Sequence, residues 1–98
     1  MQIEKESSGS SLTVKVKGQL NAATAPELQA ELNDCLSEID DLTLDLAELK
    51  YISSAGLRVL LNVYKIMSVH GSMKLVHVES GVHEVLKLTG FSDFLTIE

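Results

Sequence analysis

The amino-acid sequence predicts an α/β fold in which helices pack on a mixed, mostly parallel β-sheet that begins with an antiparallel hairpin. Segments with the two-residue period of strands alternate with segments of helical spacing, a pattern typical of parallel strands joined by right-handed crossovers. A turn-like Ser-Ser-Gly-Ser run at residues 7–10 precedes the first clear strand. Because the chain has 98 residues and 45% hydrophobic content, we expect one globular domain over residues 1–98.

The first predicted elements are the hairpin and the helix that follows it. Apolar and polar residues alternate over 12–17, directly after the turn at 7–10. We expect these residues to form a hairpin strand that Gly18 ends. Residues 24–27, Thr-Ala-Pro-Glu, have the form of a capping box with proline in the first helical turn. We therefore predict a helix from there to about Ile39.

A second core strand and a long helix flank a pair of serines. Leucine alternates with polar residues over 42–46, and the chain then runs through 47–50 to Ser53 and Ser54. At helical spacing, the apolar stripe comprises Leu57, Leu60, Leu61 and Tyr64, widened by Val59, Val63, Ile66 and Met67. The opposite, polar stripe comprises Ser54, Arg58, Asn62 and Lys65. We therefore predict a strand that leads to the serines and a helix whose start exposes Ser54.

The remaining residues predict three shorter elements. His-Gly-Ser at 70–72 ends the long helix, and 73–78 has the composition of a strand. Residues 80–88 predict a short helix closed by Gly90, and 95–97 predict a last edge strand.

The loops at 18–24 and 50–55 are expected to meet beyond the carboxyl ends of neighbouring strands, where ligand sites of such sheets tend to lie. Both loops carry small and hydroxyl residues. The start of a helix favours a phosphate, because its free N–H groups and dipole attract negative charge. Serine is also a preferred helix N-cap, and from spacing alone that structural role is the more common one.

Composition and charge argue against several classes of partner. The net charge is −6, and no basic run lies between the four aromatic residues, so we expect no nucleic-acid partner. No stretch approaches the roughly 20 apolar residues of a membrane-spanning helix, and the N-terminus has no apolar leader segment. We therefore expect a cytoplasmic protein.

Catalytic and metal chemistry are weakly indicated. Cys35 lies in an apolar helical pattern without a Cys-x-x-Cys motif, which favours a packing role. His70, His77 and His83 lack the i, i+4 spacing of a helical metal site. The serine pair is not a Gly-x-Ser-x-Gly elbow, and the chain has no P-loop. We predict no catalytic residue, no metal and no cofactor.

Three segments carry a resemblance to a known family. They read GQLNAATAPEL at 18–28, LDLAELKYISSAGLRVLL at 44–61 and LTGF at 88–91. In this order and spacing they resemble the STAS domain of bacterial anti-sigma factor antagonists. The resemblance covers essentially the whole chain and implies a STAS-like fold.

The resemblance also implies a partner switch. The unphosphorylated antagonist is expected to bind an anti-sigma factor, a serine kinase of the GHKL type, and so to release a sigma factor. Phosphorylation by that kinase is expected to end the complex, and a PP2C-type phosphatase to restore the free hydroxyl. The protein itself is then a substrate and a signal, not an enzyme.

Aligning the family motif D-S-S/T-G-L-G with this chain assigns the phosphoacceptor to Ser54. Ser53 then stands at the aspartate of the motif and Arg58 at its second glycine, although Ser-Ser-Ala-Gly-Leu-Arg is similar to another branch of the family. Asn21 stands where many members have aspartate. The two serines are expected to divide their roles, Ser53 as helix cap and Ser54 as acceptor. The expected partner-binding residues are Asn21, Ala22, Thr24, Ser53, Ser54, Ala55, Gly56, Arg58 and Asn62.

Two alternatives remain open at this stage. Similar domains also serve as constitutive interaction subunits of transport complexes, without a switch. A partner switch can likewise act on a secretion, phosphatase or nucleotide-cyclase pathway instead of a sigma factor.

Overall fold

The computed structural model describes residues 1–98 and contains a six-stranded mixed sheet. In chain order the elements are β1 (Gln2–Ser8), β2 (Ser11–Leu20), α1 (Ala25–Asn33), β3 (Asp41–Asp45), β4 (Leu49–Ile52), α2 (Ser54–His70), β5 (Ser72–Val76), α3 (Ser80–Leu88) and β6 (Thr96–Ile97). Strands β1 and β2 pair antiparallel and every other pair is parallel. This arrangement confirms the predicted fold class.

One face of the sheet is buried beneath the helices. Along β2, β3 and β5, buried apolar residues alternate with more exposed polar ones, so the second face is polar and open to solvent. The buried residues form one cluster of 24 hydrophobic side chains, and no polar residue is buried among them. No helix combines the length and apolar character needed to cross a membrane.

The N-terminal hairpin forms as predicted, but its second strand is longer than predicted. Ser8 pairs with Ser11 across a two-residue turn in which Gly9 has a φ of 60°. The prediction that Gly18 ends β2 is wrong, because the strand continues to Leu20 through an irregularity at Gly18. Gly18 has a φ of 101°, a conformation that glycine adopts without steric cost, so the strand bends there instead of stopping.

The short strand β4 is the element that the sequence analysis missed. Strands β3 and β4 lie one after the other along β2, β3 beside residues 11–15 and β4 beside residues 18–20. In β4 only Leu49 and Ile52 are buried, so it lacks the two-residue alternation that marks β2 and β3. The prediction only lets 47–50 link the 42–46 strand to the serine pair, so it contains no separate strand there.

Helix α1 is shorter than predicted. It ends at Asn33 and not near Ile39, and a single 3-10 turn follows at Leu36–Glu38. Asparagine and aspartate at 33 and 34 are weak helix formers. The chain must also turn back by residue 40, whose amide donates to the Ser10 carbonyl at 2.8 Å just before β3 begins.

Helix α2 begins at the predicted residue, but its buried face differs from the predicted stripe. The buried residues are Gly56, Leu57, Val59, Leu60, Val63 and Met67. Leu61 and Tyr64, which the prediction placed in the core stripe, are only partly buried, and Ile66 is exposed. The predicted polar stripe is correct, since Ser54, Arg58, Asn62 and Lys65 are all exposed.

The start of α2 lies unusually close to the sheet, and Gly56 makes this approach feasible. A Cβ atom at Gly56 would lie 2.8 Å from Ile52 Cγ1 and 2.8 Å from Leu20 Cγ. These two side chains come from the ends of β4 and β2, which pair with each other. The helix start is therefore seated directly on the paired strand ends.

We predict that Gly56→Ala lowers the free energy of unfolding by about 1–3 kcal/mol, because the added methyl group overpacks a buried contact. Gly81→Ala in α3 is the matched control, since a Cβ there would meet no atom within 4 Å. It should be neutral or stabilising by less than about 1 kcal/mol. Urea unfolding followed by circular dichroism measures both. Equal values for the two variants would contradict the proposed close approach.

Candidate functional site

The serine pair sits at the junction of β4 and α2, and the two serines have different environments. The Ser53 amide donates to the Leu20 carbonyl at 2.9 Å, which ties the end of β4 to the end of β2. Ser53 is the N-cap of α2, and its Oγ accepts from the Gly56 amide at 3.4 Å. Ser54 is the first helical residue and is exposed. Its hydroxyl takes no part in the cap, so it stays open to solvent at the positive end of the helix dipole.

The loop before α1 is held by a capping box three residues upstream of the predicted one. Asn21 Oδ1 accepts from the Thr24 amide at 3.1 Å, and Thr24 Oγ1 accepts from the Asn21 amide at 2.9 Å. Thr24 Oγ1 also lies 2.8 Å from the Gln19 carbonyl, to which it donates. No side-chain cap is made by Thr24 toward α1, so the predicted box with Glu27 does not form. The loop is therefore fixed by its own side chains.

The predicted meeting of the two loops is confirmed. Gln19 pairs with Tyr51 and Leu20 with Ile52, in parallel register. This pairing delivers the capped loop at 21–24 and the serine pair to the same edge of the sheet, from which α1 and α2 both begin.

A shallow groove of about 250 Å³ lies between the N-terminal halves of α1 and α2. Small side chains, two amides and a single charged group line it: Ala22, Ala25, Pro26, Gln29, Ala55, Arg58, Val59 and Asn62. At one end, Asn62 Nδ2 donates to Gln29 Oε1 at 3.3 Å and bridges the two helices. The surface is a flat, mildly apolar strip with one cation, which suits contact with a protein better than enclosure of a small ligand.

A larger depression of about 380 Å³ lies at the opposite ends of the strands, on the open face of the sheet. Asp41 and Glu98 are among its lining residues, and the Asp41 carboxylate accepts from Ser72 Oγ at 2.6 Å and from Ser11 Oγ at 3.5 Å. These hydroxyls bond the carboxylate across the first residues of β2, β3 and β5. This depression lies where the parallel strands begin, whereas the serine pair lies where β4 ends. The two sites are therefore remote from each other.

The structure distributes the nine predicted site residues among several roles. Ala22, Ala55, Arg58 and Asn62 line the groove. Asn21 and Thr24 fix the loop beside it, Ser53 caps α2, and Gly56 is buried under the helix. Ser54 adjoins Ala55 but is not part of the groove wall.

Sequence analysis missed the contribution of α1 to this surface. Ala25, Pro26 and Gln29 line the groove together with Ala22. Ala25, Pro26 and Gln29 are spaced i, i+1 and i+4 along α1, and Ala22 precedes them in the loop. These residues are small or polar, and a helix face is predicted most readily from large apolar residues.

Cys35 lies just after α1, at the start of the 3-10 turn, and not inside the helix as expected. It is partly buried against the core, and its Sγ lies 3.4 Å from the Glu31 carbonyl. Partial burial raises the pKa of the Cys35 thiol, against the opposing effect of the nearby Lys5. A raised pKa disfavours the reactive thiolate. No three histidine, cysteine, aspartate or glutamate side chains come together as a metal site.

Comparison with known proteins identifies the family. A model of the STAS domain matches residues 2–98. The chain belongs to the STAS domain family. BtrV of Bordetella bronchiseptica, named as a candidate anti-sigma factor antagonist, is 41% identical over 81 residues, which cover 78% of this chain and 67% of BtrV.

Solved structures show that this STAS chain shares its fold with SpoIIAA. The unphosphorylated form of the anti-sigma factor antagonist SpoIIAA superposes with a TM-score of 0.85 at 14% identity, covering 99% of this chain and 88% of that one. The phosphorylated form of the Bacillus SpoIIAA superposes with a TM-score of 0.78 at 13% identity, covering 99% and 91%.

The different roles of Ser53 and Ser54 in the helix start predict different effects on stability. Ser53→Ala removes the N-cap of α2 and should lower the free energy of unfolding by about 1 kcal/mol. Ser54→Ala, one residue on, removes an exposed hydroxyl outside the cap and should change it by less than about 0.5 kcal/mol. Thermal and urea unfolding of the two variants make the comparison. A larger loss for Ser54→Ala would reverse the assignment.

Proposed function

We propose that this STAS protein is an anti-sigma factor antagonist that is switched by phosphorylation of Ser54. In its unphosphorylated form it binds an anti-sigma factor that is a serine kinase of the GHKL type, and a sigma factor is released. The observation that carries the proposal is the exposed Ser54 hydroxyl, which starts α2 beside the groove while Ser53 serves as the cap.

Two relationships support this proposal. BtrV, at 41% identity, is named as a candidate anti-sigma factor antagonist. SpoIIAA, an antagonist of the same fold, exists in unphosphorylated and phosphorylated forms. In this proposal the chain is a substrate of the kinase and of a PP2C-type phosphatase, works in the cytoplasm without a cofactor, and is not itself an enzyme.

The proposed switch is electrostatic. A phosphate adds about −1.5 to −2 charges at neutral pH, and the first turn of a helix stabilises such a charge. The antagonist's own fold therefore tolerates it. A partner packed over Ser54 would have to bury an unpaired dianion, which costs several kcal/mol and shifts affinity by orders of magnitude.

The proposed partner surface consists of the groove and the residues that adjoin it. Ala22, Ala55, Arg58 and Asn62 supply the groove wall, and Ser54 lies at its border. Asn21, Thr24, Ser53 and Gly56 contribute by holding the loop and the helix start in place. Because these supports are internal, substituting them should reduce binding mainly through stability.

We expect Ser54→Asp to weaken partner binding at least tenfold with little change in the free energy of unfolding, because the charge acts on the interface and not on the fold. Ser80→Asp is the matched control, since Ser80 is the exposed first residue of α3. The measurement is affinity capture from native cytosol with Ser54→Ala, Ser54→Asp and Ser80→Asp baits, read by mass spectrometry.

A kinase of the GHKL type retained by the Ser54→Ala and Ser80→Asp baits and lost from the Ser54→Asp bait supports the proposal. The same partners on all three baits contradict it and favour a constitutive interaction subunit. Loss of the kinase from the Ser54→Asp bait alone supports the switch. If the captured kinase does not regulate a sigma factor, the same result contradicts the sigma-factor output.

A further inference from the structure

We infer that Arg58 is the counter-ion of phosphorylated Ser54, and that forming this pair neutralises the only charge of the groove. The inference rests on the proposed phosphorylation of Ser54 and adds a second way in which the phosphate affects the partner surface. Phosphorylation then places a negative charge at the border of the partner surface and also withdraws a positive charge from within it.

The first observation is that Arg58 is a free cation in an acidic chain. The net charge is −6, yet Arg58 takes part in none of the ion pairs. It is exposed and is the only charged residue lining the groove. The wall opposite it consists of Ala22, Ala25 and Pro26, with the Gln29 amide farther along. No carboxylate of the groove competes for its guanidinium.

The second observation is the position of Arg58 relative to Ser54 on α2. The two residues are four apart on the exposed stripe of one helix, so their Cβ atoms are about 5–6 Å apart. Side chains of a helix lean toward its N-terminus, which brings a long side chain at residue 58 back over residue 54. The planar guanidinium binds phosphate oxygens through two parallel hydrogen bonds.

The other cations near α2 are less suited to the same role. Lys50 on β4 is already paired with Glu79 at 2.9 Å. Lys65 is eleven residues beyond Ser54 on the same helix, about 16 Å along the axis. Arg58 is therefore the cation that the fold places within reach of a phosphate on Ser54.

The consequence concerns the charge that a partner meets. Without phosphate, the groove presents an unpaired guanidinium between small side chains, a surface that fits a partner carboxylate. With phosphate, the same guanidinium is engaged within the chain, and the local charge changes from about +1 to between about −0.5 and −1. A partner that supplies a carboxylate there loses its counter-ion and gains a repulsive neighbour.

The test is a phosphorus-31 NMR titration of protein carrying phosphoserine at position 54, installed during translation or by ligation so that no kinase is needed. A nearby guanidinium favours the dianion and lowers the second pKa of the phosphate. Arg58→Gln should therefore raise that pKa by about 0.3 pH units, as for an exposed ion pair. Lys65→Gln removes an equal charge from the same helix and should leave it unchanged, and Arg58→Lys should give an intermediate value.

An equal second pKa in the parent protein and in Arg58→Gln overturns the inference, as does an equal rise in Lys65→Gln. Amide spectra of each variant check that α2 is intact, and a folded Arg58→Lys protein gives the answer if Arg58→Gln fails to fold. The result is independent of the bait experiment. An unchanged phosphate pKa contradicts only the proposed role of Arg58, whereas equal capture by the three baits contradicts the proposed switch itself.

Discussion

The parallel pairing between the ends of β2 and β4 is the constraint on which the rest of the site depends. The hydrogen bond of 2.9 Å between the Ser53 amide and the Leu20 carbonyl closes that pairing. The Leu20 and Ile52 side chains form the floor on which Gly56 is seated. The first turn of α2 therefore has little freedom of position, and the loop before α1 emerges beside it. Two segments about 30 residues apart become one surface because the strand ends pair.

The different roles of Ser53 and Ser54 follow from the packing of the α2 start on the ends of β2 and β4. A helix that starts on a strand end needs a cap, and Ser53 supplies it from an extended backbone with a ψ of 178°. The Ser54 hydroxyl is then the first on the helix; it is exposed and takes no part in the cap. Charge added there meets the positive helix end and the guanidinium of Arg58, so the fold of the antagonist can carry it. The proposed switch thus needs no large conformational change in this protein, only a change in what its partner must bury.

The sequence allowed correct prediction of those parts whose signals are local. The hairpin turn around Gly9, the start of α2 at Ser54 and the end of α3 before Gly90 each depend on a few neighbouring residues, and the structure confirms them. It was less informative where distant contacts decide. Strand β4 is defined by its pairing with β2, and Gly18 bends β2 instead of ending it. Helix α1 ends at Asn33, and a 3-10 turn then carries the chain back to residue 40 beside Ser10 before β3 begins. The groove depends on two helices meeting, so the prediction contains its α2 side and Ala22 but not Ala25, Pro26 and Gln29 of α1.

The measurement that tests the account most directly is a comparison of amide NMR spectra of the protein with and without phosphate on Ser54. If the switch acts only on the partner surface, the changes in amide chemical shift should be confined to the first turns of α1 and α2 and to the loop at 21–24. The hairpin and the buried strands should be unchanged. Shifts or exchange broadening that extend through β1, β3 and β5 would contradict it. They would mean that phosphorylation works by rearranging the fold.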